Sequence, residues 1–193
     1  MNRTASLRAI LDADIIYSRV LHELMGRVAD DLRKLDLVWS DQLLAEATRV
    51  LVERKGLAEA VAKRWVDYLP AAFPAGRTDI EEALASAELD NLTTDPGDRH
   101  ICALAIASGA DYLFTHDRGY LRDGLLAHGV NVASPDSFLV GVLEDQPHGM
   151  LDLLVLQAST WAGGRTIEEL IDAIERAGAV VFAAEARRSL PTR

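Results

Sequence analysis

The sequence predicts an α/β fold in which a parallel sheet carries helices on its faces. Short β-prone runs at 9–16, 37–39, 112–115 and 130–133 alternate with longer stretches of helical periodicity. Residues 101–107 are so continuously apolar that a helix there is buried on most sides. That helix belongs to a unit, residues 95–117, which opens on the turn signal Asp-Pro-Gly-Asp and closes on a β-prone run followed by an acid. The unit sets one carboxylate at a helix start and another at a strand's carboxyl end, where open α/β sheets gather their chemistry.

Taken in order, residues 9–16 read as a buried first strand running into a turn. If the strand continues, its period of two puts Asp12 and Asp14 on one face. Tyr17, Leu21, Leu24, Met25, Val28 and Leu32 are spaced as one face of a helix. Residues 37–39 give a second strand. Ser40 then predicts an N-cap for a helix over 41–54 that stops near Gly56. Residues 57–69 continue helically as far as Pro70, and 80–87 form a helix inside a connecting region. After the 95–117 unit come a helix over 118–128 stopped by Gly129, a last strand at 130–133, and a helix opened by Pro135. Gln146-Pro-His-Gly149 is the clearest break and divides a domain at 1–146 from a helical extension at 147–193. In the extension, Ile167, Leu170, Ile171 and Ile174 repeat at helical spacing, so its apolar stripe docks on the first domain or on a second copy.

Composition narrows the function. With 30 acids against 20 bases the chain carries −10, so charge alone argues against nucleic-acid binding. The acids either solvate a surface or converge on a cation that inverts the local field. The one cysteine, Cys102, rules out an internal disulfide and fits a reducing compartment. No secretory leader and no run of ~18 apolar residues is present, so the chain is expected to be cytoplasmic and free of the membrane.

Four acids stand out: Asp12, Glu46, Asp98 and Asp117. Each neighbours apolar sequence at a strand end, a helix edge or a helix start. Asp98 also has the position of a plain N-cap, Asp117 that of a loop aspartate, and Glu46 that of a surface glutamate. Asp12 is the hardest to explain so, because a carboxylate in an apolar run needs a partner. Four carboxylates together cannot all stay ionised uncompensated, and an all-oxygen set favours Mg²⁺ or Mn²⁺ over zinc.

The order and setting of these acids resemble the PIN-domain ribonucleases. The resemblance rests on Leu11-Asp12-Ala-Asp14, on Ser40-Asp-Gln-Leu-Leu-Ala-Glu46, on Asp95-Pro-Gly-Asp98 and on Thr115-His-Asp117. It covers residues 9–143 and is nearest to the VapC-type toxins of toxin–antitoxin pairs, in a longer form with C-terminal helices. It implies a PIN-like three-layer fold with a central parallel sheet. It also implies a metal-dependent endoribonuclease acting on tRNA or rRNA, with Asp12, Glu46, Asp98 and Asp117 as catalytic metal ligands. The implied partner is a small antitoxin reaching over the acidic groove, with walls at 17–25 and 51–65, and a second copy of the chain is a further candidate. Asp14 stands where the family commonly has Asn, which makes it an extra ligand or an orienting group for Asp12. Thr115 is expected to hydrogen-bond a ligand carboxylate, and Arg99 and Arg118 to meet substrate phosphate. His100 and His116 flank the acids, but a carboxylate–metal mechanism needs no histidine base. Two other classes fit parts of the pattern. Asp12-Ala-Asp14 suits a haloacid-dehalogenase-type phosphatase, although the last lysine is Lys63, too early for that family. A PIN-like scaffold that only binds a partner is the other.

Overall fold

The computed structural model describes residues 6–161 and 163–190. Residues 1–5, part of the stretch read as lacking a secretory leader, lie outside the described residues. Strands β1 (Leu7–Leu11), β2 (Leu35–Leu37), β3 (Tyr112–Phe114) and β4 (Asn131–Ala133) form a parallel sheet in the order β2-β1-β3-β4. Ala9 of β1 pairs with Leu37 on one side and Tyr112 on the other. The order reverses at β1, so the carboxyl ends of β1 and β3 flank a topological switch point. Ala9, Ile10 and Leu11 are at most 1% exposed, as an apolar run covered on both faces requires.

Two compact units result. The first takes the chain up to Tyr17 together with Leu35–Ala133, and the second takes Ser18–Lys34 with the chain from Ser134 onward. The first holds the sheet with helices α1 (Ala13–Tyr17), α3 (Asp41–Lys55), α4 (Glu59–Val66), α5 (Tyr68–Ala72), α6 (Glu81–Leu84), α7 (Arg99–Ser108) and α8 (Arg122–Ala127). The second holds α2 (Arg19–Asp30), α9 (Pro135–Asp145), α10 (Pro147–Thr160), α11 (Ile167–Arg176) and α12 (Val180–Ser189).

In the first unit α3 begins as its sequence specifies. Ser40 Oγ accepts from Leu43 N at 3.2 Å, and Gly56 ends the helix at φ 66°, a conformation glycine adopts without steric cost. Residues Ile101 to Ala105 of α7 are wholly buried, and Gly109 closes that helix. Other expectations need correction. The first strand stops at Leu11 instead of running through Asp14. Ile15 N and Ile16 N both donate to Asp12 O, which turns the chain into α1 and puts Asp14 in its first turn. Pro70 does not end a helix; it lies in the first turn of α5, where a missing N–H is tolerated. Trp39 lies beyond β2 and makes an isolated bridge to Arg77, with its indole Nε1 donating to Phe73 O at 2.9 Å. Residues 118–121 stay in a loop because Thr94 N donates to Gly119 O at 2.9 Å, and α8 starts only at Arg122.

In the second unit α11 packs on α12 and α2, while α10 packs on α9 and α2. The stripe Leu170, Ile171 and Ile174 is fully buried. Asp136 of α9 accepts from Val181 N and from Phe182 N, tying down the start of α12. The break at Gln146 and Pro147 is where α9 passes to α10. Leu21, Leu24 and Met25 of α2 are fully buried here, so they are core and not the open partner wall expected at 17–25. Arg187 is paired with Asp172 and Glu175 on α11. No described helix is long and apolar enough to cross a membrane.

Ile174→Ala removes most of a fully buried side chain from this helical core. It should cost about 2–5 kcal/mol and lower the melting temperature by roughly 5–15 °C. Truncation after Gln146, which strips α10–α12 from α2 and α9, should leave an insoluble or strongly destabilised chain. Thermal melts of both proteins check this; an unchanged melting temperature in either would show these helices are not packed.

Candidate active site

Asp12 lies just past the end of β1, and its N–H donates to Phe114 O at 3.0 Å, one step beyond the last pair of the β1–β3 ladder. Its side chain is 6% exposed. Three donors grip it. Ala13 N donates to Oδ1 at 2.7 Å; Thr115 Oγ1 donates to Oδ2 at 2.8 Å; the Tyr120 phenol donates to Oδ2 at 3.0 Å. Burial raises the Asp12 pKa, and these bonds pull it back only in part. Burial and the nearby Asp12 charge push the Tyr120 phenol far up, so its proton stays in place to be donated.

Thr115 also accepts from Asp117 N at 2.9 Å, so one hydroxyl spans two of the acids. The Asp117 carboxylate accepts from Gly119 N at 2.6 Å. A β-carbon at Gly119 would press on Asp117 Oδ1 at 3.2 Å and Thr94 Oγ1 at 3.3 Å, and would lie in ordinary contact with Asp98 Oδ2 at 3.8 Å, so both carboxylates border this glycine. Asp14 reaches back across the same loop: His116 N donates to its Oδ2 at 2.7 Å.

Asp98 occupies the position before α7, yet its side chain caps nothing. The capping is done one turn earlier, where Asp95 Oδ1 accepts from Gly97 N at 2.8 Å. Glu46 is half-buried, and its Oε2 lies 3.0 Å from His100 Nε2. The other ring nitrogen of His100 faces Gly97 O at 2.8 Å. Both neighbours are acceptors, so the ring is best satisfied as an imidazolium. Burial works against that charge, but the Glu46 carboxylate overcomes it and the His100 pKa rises.

The acids share one electrostatic field. Burial first, then Asp12, raises Asp14 to about 7. Burial first, then Asp12, Asp95, Asp117 and Glu46, raises Asp98 to about 7. Three carboxylate oxygens in this field, Asp14 Oδ1, Asp98 Oδ2 and Glu46 Oε2, are buried without a hydrogen-bond partner among the described residues, the last lying close to His100 Nε2 as an ion pair. Buried anionic acceptors without donors suit a hard cation, so the donor set fits Mg²⁺ or Mn²⁺. Among the described residues, however, no three His, Cys, Asp or Glu side chains are drawn together as a ready-made metal-binding group. Asp12 and Asp117 are instead bonded to neighbouring donors, and Glu46 faces His100.

The two expected arginines part ways. Arg99 pairs with Asp90 and donates to Ser86 O, so it is committed to the connecting region. Arg118 is exposed. Tyr120 and the Glu46–His100 contact were not foreseen. Tyr120 is one aromatic in a turn, and Glu46 and His100 lie 54 positions apart, so no local pattern announces either. Cys102 is buried, its thiol pushed up to about 12 by that burial, and is inert.

The fold and site together define a parallel α/β domain with an acidic cluster at its topological switch point. Residues 8–119 match the PIN domain, and the chain belongs to the PIN-domain family. PIN domains are typically metal-dependent nucleases. All five acids lie inside the matched residues, and α9–α12 lie outside them. No curated protein and no solved structure matches the chain.

The raised acids make a prediction about metal-free stability. Each has a folded pKa above its unfolded value, so the folded state binds protons more tightly. Stability is then lost as pH rises from about 4 through about 7. Asp14→Asn and Asp98→Asn keep the shape and remove the charge. In EDTA they should melt like the parent near pH 4 and above it at pH 8. Scanning calorimetry at the two pH values decides: a parent equal to both variants at pH 8 would refute the repulsion.

Proposed function

We propose that this protein is a metal-dependent endoribonuclease and the toxin component of a toxin–antitoxin pair. The reading is supported most by one observation: a buried carboxylate at the switch point, held by three donors, with three acidic oxygens in the same field that make no hydrogen bond among the described residues. Asp12, Asp98 and Asp117, with Glu46 and Asp14 beside them, would hold Mg²⁺ or Mn²⁺. The ion supplies an acidified water nucleophile and offsets charge on the phosphodiester. Thr115 and Tyr120 aim the Asp12 carboxylate and favour its ionised form against burial. His100 keeps Glu46 in place and balances its charge. Asp14, locked onto His116 N, replaces the family's commoner Asn and adds negative charge for the cation to offset.

The substrate is tRNA or rRNA, as the family resemblance implies, and the setting is the cytoplasm. The antitoxin would use the groove between α3 and α4. This open groove of about 490 Å³ is lined by Leu44, Ala45, Thr48, Val52 and Val66 and rimmed by the pairs Arg49–Glu53 and Lys63–Asp67.

Incubating the full chain with total RNA and Mn²⁺ should give discrete cleavage products that EDTA abolishes. Asp12→Asn should be inactive while remaining folded. Full activity in that variant would sink the catalytic assignment. Tyr120→Phe should weaken Mn²⁺ affinity about 10-fold or more, the usual effect of removing a group that orients a ligand. Mn²⁺ titration by calorimetry checks this, and unchanged affinity would remove Tyr120 from the site.

A further inference from the structure

Beside the acids runs an open cleft of about 610 Å³, lined by Arg118, Tyr120, Leu121, Arg122 and Asp123. Tyr120 is its shared wall, since the same phenol donates to Asp12. Arg118 follows Asp117 directly and, among the described residues, makes no hydrogen bond or ion pair. The Arg122 guanidinium is fixed by Nη1 donating to Val132 O at 2.7 Å, which leaves its remaining N–H groups uncommitted by that bond. Leu121 shows 40% of its surface. In a chain of net charge −10, two arginines on a cleft that shares Tyr120 with the acidic cluster can draw a polyanion toward it. Asp123 is the cleft's one acid.

We infer that this cleft seats the single-stranded stretch of RNA next to the scissile phosphate, with Arg118 gripping a phosphate and Leu121 offering an apolar surface to a base. The inference rests on the nuclease reading. A fork of N–H donors matches phosphate bidentately, and a cation that holds the backbone beside a surface on which an unpaired base can lie is how single strands are commonly bound. Bases can be splayed onto such a surface only from unpaired RNA, so the cleft selects single strands over duplex. Arg99, tied to Asp90, takes no part.

The test uses the full chain. Binding of a fluorescent single-stranded oligoribonucleotide is followed by anisotropy from 50 to 200 mM KCl, in an Asp12→Asn background so that nothing is cleaved. Arg118→Ala and Arg118→Glu are compared with Arg64→Ala, which removes an exposed arginine from α4. Arg118→Ala should weaken binding about 10-fold and reduce the salt slope by about 0.7, the loss of one phosphate contact on a single strand. Arg118→Glu should weaken binding further, and Arg64→Ala should leave it unchanged. With Asp12 intact, Arg118→Ala should raise KM and spare kcat. A matched RNA duplex should bind more weakly than the single strand.

Arg118 variants that bind and titrate like Arg64→Ala would overturn the inference while leaving the nuclease reading intact. Equal binding of the duplex would overturn its single-strand part. Arg118-dependent binding in a protein that cleaves no RNA would support the cleft and refute the nuclease.

Discussion

The acidic edge of this domain depends on the burial of one carboxylate. Asp12 sits at the end of a strand whose preceding residues are wholly enclosed, and taking its charge out of water is costly unless the surroundings answer it. Three donors answer it, from α1, from the end of β3 and from the loop beyond. Each of these groups is thereby fixed in turn. The hydroxyl of Thr115 receives the N–H of Asp117, Asp117 receives that of Gly119, and Gly119 O receives that of Thr94. A chain of short polar contacts thus carries the position of one buried acid through the loop that shapes the rest of the site.

Around that acid the charge is excessive by design of the fold. Asp14 and Asp98 are pushed up to about 7 because burial and like charges act in the same direction on them. Glu46 faces His100, whose two nitrogens lie between an acid on α3 and a carbonyl of the turn before α7. The remaining repulsion is what a divalent cation would relieve, so the protein keeps its strain where a cation would be bound. Like charges held this close in a buried setting cost stability as long as nothing offsets them.

The family match and the compact units organise the chain differently. The match spans 8–119, whereas the first unit omits 18–34 and the second gathers that segment with everything from Ser134. α2 is therefore contiguous in sequence with the matched domain and packs on α10 and α11. Its buried face, with Leu21, Leu24 and Met25, is paired with apolar faces that lie over a hundred residues later in the chain.

By itself the sequence determined the parallel α/β class, the PIN resemblance, the caps at Ser40, Gly56 and Gly109, and the identity of the acids worth watching. These follow from local signals: an apolar run, a capping hydroxyl, a glycine that tolerates positive φ, a carboxylate in apolar surroundings. It did not reveal that Asp12 begins a helix rather than continuing a strand, since both states present the same residues until the carbonyl finds its acceptor role. Nor did it separate Arg99 from Arg118, bring Tyr120 to Asp12, or set His100 against Glu46. Those pairings join positions far apart in the chain, and only the folded sheet, with β3 beside β1 and α7 close to α3, brings them within reach of a hydrogen bond.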